Sequence, residues 1–421
     1  MAVTWSTQTA ANHSFVEYGT YEKKFSFTVN ATMSLFVDGA SQHRTFFMYK
    51  ATLHSLQFNM TYFYNVGSLL ALSPVFYFQT MPEIGGNRYA IYGDLGNTNA
   101  QSLFRLQKEA QLGLYDVVFH VGDFAYNMDT DQSRVGDAFM NQIEQIAAYV
   151  PYMVCPGNHE RAYNFSNYKA RFTMPMNGDK ENLWYSWNFG LAHIISFSTE
   201  VYFWFEYGFA QISNQYKWLE QDLKEATSLE NRTKHPWIIT MGHQPMYCSN
   251  ANDDDCTNYD SRPRSGLPYI HTFGLEKLFY DYGVDLELWA HEHSYERLWP
   301  IYNWTIFNGS LAEPYTNPQA PVHLISGSAG CYSAHNPFLN QTQIYSAFRS
   351  DDYGYSRMNI INSTHLYLEQ VSDDQNGKVI DNFTLIKTSH GPYENKRHKG
   401  VKIERISLEG KPGGIYNKYN L

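Results

Sequence analysis

Five short apolar runs each break into a loop that carries oxygen or imidazole donors. The loops are Gly93-Asp94-Leu95-Gly96, Gly122-Asp123-Phe124-Ala125-Tyr126, Gly157-Asn158-His159-Glu160, Gly242-His243 and Ala290-His291-Glu292-His293. Each has an ordinary reading by itself. Gly-Asp after a strand is commonly a turn stabilised by the Asp side chain, and Asn leads the residues that cap helices. A lone His243 is more often a hydrogen-bonded histidine, and "AHEH" could be a solvated strand end. Independent turns, however, need not select two Asp, one Tyr, one Asn and three His in this order. Carboxylate and phenolate oxygens suit hard cations, and imidazole suits Zn or Fe(II). The joint pattern therefore points to a metal centre.

Such a centre needs elements that bring distant loops together. From "RYAIYGD" onward, apolar strands alternate with helix-periodic stretches: "AQSLFRLQKEAQLG", a segment from about Val135 to Ala148, "QYKWLEQDLKEAT" and "LEKLFYDYG". Strands alternating with helices predict an α/β layered domain. Ligands in open α/β sheets bind beyond the carboxyl ends of strands, so the five loops are expected along one sheet edge. "MNIINSTHLYLEQVSD" and "VIDNFTLIK" read as closing antiparallel strands. Residues 1–83 differ, with short Val-, Phe-, Tyr- and Thr-rich strands at regular spacing. They read as a fibronectin type III-like β-sandwich, with Tyr62 near a tyrosine corner. The first strand expected of such a sandwich is missing, which suggests an N-terminally truncated chain. The expected organisation is therefore a sandwich over 1–83, a catalytic domain over 84–388 and a disordered basic tail over 389–421.

The ordered set "GDLG", "GDFAY", "GNHE", "MGH", "AHEH" resembles the purple acid phosphatases of the metallophosphoesterase superfamily, in their long two-domain, animal-like form. The Tyr of the second motif separates this family from most of its superfamily. The resemblance implies an αββα metallophosphoesterase sandwich. It implies that Asp123 bridges two metals, that Asp94, Tyr126 and His293 complete a ferric site, and that Asn158, His243 and His291 complete a divalent site holding Zn, Fe(II) or Mn. It also implies hydrolysis of phosphate monoesters by a metal-bound hydroxide, with His159 beside the phosphate as acid and Glu160 orienting it from behind. The three anions Asp94, Asp123 and Tyr126 leave a ferric–divalent pair net positive, so a neutral Asn158 keeps the centre attractive to an anion.

The chain departs from the family in one loop. Long plant members carry adjacent histidines nine to ten positions beyond the equivalent of His243, where this chain has Asn252 and Asp253 inside "CSNANDDDC". Asp253, Asp254 and Asp255 are the local candidates for the missing acid. Ala290 also replaces the usual Gly of the last motif.

Composition narrows the partners. A net charge of -10 with no basic stripe in the body argues against nucleic acid. No apolar run is long enough to span a membrane. The expected partner is a small phosphorylated substrate, and a homodimer is left open. Ten N-x-[ST] sequons stand at Asn12, Asn30, Asn59, Asn164, Asn231, Asn303, Asn308, Asn340, Asn362 and Asn382. With Cys248 and Cys256 placed to close a small disulfide loop, they favour a secreted or lysosomal glycoprotein. Two other readings compete: a phosphodiesterase or nucleotide pyrophosphatase on the same core, and a non-catalytic adhesion glycoprotein. Loss of a metal ligand would favour the latter.

Overall fold

The computed structural model describes residues 1–82, 87–331, 333–393 and 400–402. The N-terminal strands alternate apolar and polar residues and form two facing sheets. One orders Ala2–Thr7, Thr45–Thr52 and Thr32–Val37. The other is built on Phe15–Gly19 and Thr61–Ser68, with Phe27–Asn30, Ala71–Leu72 and Phe76–Gln79 at its sides. Inward residues Val16, Tyr18, Tyr62, Tyr64, Phe76 and Phe78 fill the space between them. The Tyr62 hydroxyl accepts the Gln57 N–H at 3.0 Å, a bond to upstream backbone like that of a tyrosine corner.

The rest of the chain builds two larger sheets. The first orders Tyr152–Cys155, Val117–Val121, Asn87–Tyr92, Gly354–Ile360, His365–Ser372 and Lys378–Ile386. Its first three strands are parallel, and the last three close it antiparallel. The second orders Tyr185–Phe189, Ala192–Ser196, Trp237–Met241, Leu286–Trp289, Val322–Ser326, Tyr295–Leu298 and Ser346–Ser350. Four of these, from Ala192–Ser196 to Val322–Ser326, run parallel. Val117–Val121, Trp237–Met241 and Leu286–Trp289 are buried at every position, as parallel strands covered on both faces must be. Apolar residues of both sheets and of the helices Leu103–Gln111, Thr130–Ala147, Ala210–Ala226 and Leu275–Tyr282 share one core. This is the αββα metallophosphoesterase architecture behind a β-sandwich.

Two expectations need correction. The five loops leave two sheets, three from the first and two from the second, so the site lies where the two sheets meet. The element Thr130–Ala147 opens with an unexpected left-handed turn at Asp131, Gln132 and Ser133, and the right-handed helix follows it, where about Val135 was expected. Asp38, on the N-terminal sandwich and fully buried, accepts the Ser133 hydroxyl at 2.6 Å and helps hold that turn. Of the expected disordered tail, 394–399 and 403–421 lie outside the described residues, as does the boundary placed between 83 and 84. Within 389–393 two residues pack against the core: the His390 ring meets Trp237, and Tyr393 is buried and donates to the Val284 carbonyl at 2.7 Å. Val401–Lys402 adds a short strand to Thr305–Ile306.

Candidate metal centre

The centre is assembled from strand ends. Asp94 follows Asn87–Tyr92, Asp123 and Tyr126 follow Val117–Val121, and Asn158 follows Tyr152–Cys155. From the other sheet, His243 follows Trp237–Met241, while His291 and His293 follow Leu286–Trp289. Close approach dictates the glycines. A Cβ on Gly157 would lie 2.2 Å from Asp123 Oδ1. Gly122 has φ +82°, and a Cβ there would lie 2.4 Å from His243 Nδ1. Asp94, Asp123, Tyr126, Asn127 and His291 have φ of 56°, 52°, 53°, 77° and 70°. Left-handed backbone at non-glycine residues costs energy and gathers at functional sites.

Two half-sites result. In one, the Tyr126 hydroxyl donates to Asp94 Oδ1 at 3.1 Å and lies 2.9 Å from His293 Nε2. His293 Nε2 is 3.6 Å from Asp94 Oδ1. In the other, His243 Nε2 lies 3.3 Å from Asp123 Oδ2, 3.2 Å from Asn158 Oδ1 and 3.2 Å from His291 Nδ1. Donor atoms of Asp123, His243 and His291 all fall within 4.8 Å of one another. The outer ring nitrogens face acceptors: His243 Nδ1 the Val121 carbonyl at 2.8 Å, His291 Nε2 the Asp254 carboxylate at 3.0 Å, and His293 Nδ1 the Ala334 carbonyl at 3.3 Å. An acceptor holds the ring proton on the outer nitrogen, so each inner nitrogen presents a lone pair, as metal-ligating histidines do. Among the described residues no Lys or Arg ion-pairs with Asp94 or Asp123. Carboxylate, phenol, amide and imidazole donors thus converge without a fixed cation, and this donor set fits a hard ion beside a borderline one.

Electrostatics agree with that need. Burial disfavours the charged forms of Asp123 and His243, but each carries the other past that penalty. His243 and His159 hold the Asp123 carboxyl well below its usual range. The Asp123 charge lifts His243 to about 10. Against the same burial cost, Asp254 lifts His291 to about 9 and Asp94 lifts His293 to about 11. Protons on imidazole here occupy the place of a cation.

Glu160 does not take its expected role. Its carboxylate accepts the backbone N–H groups of Asp123 and Gly157 at 2.9 Å and of Phe124 at 3.0 Å, so it braces two ligand loops. The residue facing His159 is Asn127, whose Oδ1 lies 3.0 Å from His159 Nδ1. His159 Nε2 lies 3.9 Å from Asp123 Oδ2, and the side chain is one-third exposed at the mouth of the site. The only sequence signal for Asn127 was its place beside Tyr126. Asn336, whose Oδ1 accepts the His293 N–H at 2.6 Å, had none. Asn158 does not cap a helix: Gly157 holds the cap position of the Asn158–Glu160 turn. Cys248 and Cys256 are joined in a disulfide, and Cys155 and Cys331 are free and buried. Eight of the ten sequon asparagines are exposed, and Asn231 and Asn308 are half-buried.

Comparison with known proteins agrees with this geometry. Residues 1–80 match the family described as Purple acid Phosphatase, N-terminal domain, residues 88–295 the Calcineurin-like phosphoesterase family, and residues 320–382 the Iron/zinc purple acid phosphatase-like protein C family. The chain is 56% identical to acid phosphatase type 7 of Danio rerio, over 93% of this chain and 89% of that one. It is 51% identical to acid phosphatase type 7 of Homo sapiens, over 93% and 89%. Among solved structures, the purple acid phosphatase PPD1 of yellow lupin superposes with a TM-score of 0.75 at 25% identity, over 91% of this chain and 72% of that one. With both domains and all five strand-end motifs in place, this chain belongs to the purple acid phosphatase family.

Proposed function

We propose that the protein is an acid phosphatase that hydrolyses phosphate monoesters at a ferric–divalent metal pair. The observation that carries this reading is the convergence of seven donor side chains whose three histidines each turn one ring nitrogen outward to an acceptor. Asp94, Tyr126 and His293 would hold Fe(III), Asn158, His243 and His291 a Zn, Fe(II) or Mn ion, and Asp123 both. When bound, the ions supply a hydroxide nucleophile at mild pH and positive charge against the phosphoryl oxygens. The chain's own residues do the rest. Asn127 orients His159, leaving its Nε2 free to hold a proton toward the phosphate and the departing oxygen. Glu160 fixes the spacing between the loops that bear Asp123 and Asn158. Asn158, being neutral, adds no charge against an anionic substrate. Exposed sequons and the Cys248–Cys256 bond support a secreted or lysosomal glycoprotein.

The test is purification from a secretory host, followed by metal analysis, a visible spectrum and hydrolysis of p-nitrophenyl phosphate near pH 5. Two metals per chain, a purple phenolate band and activity abolished in Asp123→Asn are expected. Tyr126→Phe should bleach the band more than it slows turnover. A folded, colourless, metal-free and inactive protein would overturn the proposal. Faster cleavage of bis(p-nitrophenyl) phosphate would reassign it as a phosphodiesterase.

A further inference from the structure

The loop in which this chain departs from long plant members is clamped onto the metal-bearing segment. Four side-chain rungs run in order. The Ser249 N–H and hydroxyl meet the Glu296 carboxylate at 2.9 and 2.6 Å. Asn250 Nδ2 meets the Ser294 hydroxyl at 3.1 Å. Asn252 Nδ2 donates to Glu292 Oε2 at 2.9 Å. Asp254 Oδ2 meets His291 Nε2 at 3.0 Å. Loop numbers rise as partner numbers fall, as in an antiparallel pair. The Cys248–Cys256 disulfide encloses all four rungs, with its Cα atoms 5.3 Å apart and both cysteines buried.

The last rung differs from its counterparts. His243 and His293 are backed by main-chain carbonyls of Val121 and Ala334. His291 is backed by a side chain on a loop. A carboxylate can only accept, so Asp254 keeps the ring proton on Nε2 and leaves the Nδ1 lone pair facing His243 and Asp123. Its other oxygen, Oδ1, accepts the Asp255 N–H at 2.8 Å, which fixes the carboxylate plane. Neighbouring Asp255 points elsewhere: its Oδ2 accepts the Arg262 N–H at 2.7 Å.

We propose that Asp254 is a positioning residue for the divalent half of the centre, held in place by the disulfide loop. It replaces the acid sought in this loop with a device that sets the tautomer and ring plane of His291. This inference rests on the metal-centre reading above. Outer partners of metal-ligating histidines typically contribute about 10–100-fold in metal affinity.

The experiment uses purified full-length protein and follows each metal by mass spectrometry during exposure to dipicolinate. Asp254→Asn should lose the divalent ion about 10–100-fold faster than wild type, while iron and the visible band persist. Asp254→Glu should restore part of the retention, and Asp255→Asn should match wild type. If Asp254→Asn keeps the divalent ion at the wild-type rate, the positioning role is wrong while the metal centre stands. If Asp255→Asn loses it equally fast, the loop acts as a whole and the role assigned to Asp254 falls. If wild type holds no metal, both the centre and the inference fall.

Discussion

The strand Leu286–Trp289 has buried charge beyond both of its ends, and the two ends balance it differently. At its entrance stands Asp285, 1% exposed. Its carboxylate pairs with Lys387 Nζ and with Arg232 Nη2 at 3.1 Å, accepts the Ile238 N–H at 2.9 Å, and lies 3.5 Å from His390. Past its exit, Asp94 and Asp123 are buried as deeply but, among the described residues, ion-pair only with imidazoles. A buried anion without a counter-charge costs several kcal/mol. The entrance meets that cost with permanent protein cations and is a structural clasp. The exit leaves it to titratable rings, the balance that the proposed metal centre calls for.

The largest expected effect breaks the clasp. Asp285→Asn would leave Lys387 and Arg232, 4% and 7% exposed, without their anion. Removing one partner of a buried pair costs about 3–5 kcal/mol, read from urea unfolding near neutral pH. The matching change at the exit, Asp123→Asn, should cost metal-stripped protein less, because His243 can shed its proton once its anion is gone and Arg232 cannot. A cost under about 1 kcal/mol for Asp285→Asn would erase the distinction. The sign with pH is fixed. Burial alone would raise the Asp285 pKa, but Lys387 and Arg232 hold it far below the usual carboxylate range. Its contribution is therefore complete above the unfolded value of about 3.9, and is lost as pH falls from there toward the folded value. The clasp stays intact at lysosomal pH.

Between the two ends lies a group that responds to acid in that range. His323, paired in register with Glu287, is buried and accepts the Trp289 indole N–H on Nδ1 at 3.2 Å. Burial lowers its pKa to about 3. The unfolded chain takes up a proton below about 6.5 and the folded chain does not, so this residue costs stability as pH falls from there toward 3. At pH 5 the cost is about 2 kcal/mol. His323→Gln keeps an acceptor and cannot titrate. Its stability should drop less than that of wild type between pH 7 and pH 5, by about that amount. Equal drops in unfolding free energy for the two proteins, from urea unfolding at the two pH values, would show that His323 is not held neutral.

This contrast shows which features the sequence carried. All seven proposed ligands stand directly after a strand, where a chemically costly residue type is conspicuous against apolar neighbours. Partners that act at long range left no such mark. Asp285 lies 53 residues from Arg232 and 102 from Lys387, and nothing local distinguishes it from any Gly-Val-Asp turn. Lys387 and His390 sit at the junction with a stretch whose polar composition reads as tail, although they pack against the core. The left-handed turn at 131–133 depends on contacts that include Asp38 of the other domain, so nothing local in the sequence announced it. Asp254 was visible only as one of three adjacent acids, because what selects it is a hydrogen bond to His291, 37 residues on.

The smallest expected effect is the most discriminating. Glu287 lies two positions beyond Asp285 in the same chain segment and is equally buried, at 1% exposure. Its nearest titratable partner is His323, at 3.4 Å, which is itself neutral over the working range. Burial, with a smaller push from Glu276, raises its pKa well above the ordinary carboxyl value, so the fold favours the neutral acid. Gln preserves its shape and its lack of charge. At pH 5, Glu287→Gln should therefore change unfolding stability by no more than about 1 kcal/mol, against about 3–5 for Asp285→Asn. Toward pH 7 it should stabilise, because the unfolded chain ionises Glu287 above about 4.3 and the fold resists it. A loss of several kcal/mol for Glu287→Gln would mean that Glu287 carries its charge in the fold. The balance of charge along this strand would then not be set by Lys387 and Arg232 at one end and by the metal-seeking imidazoles at the other.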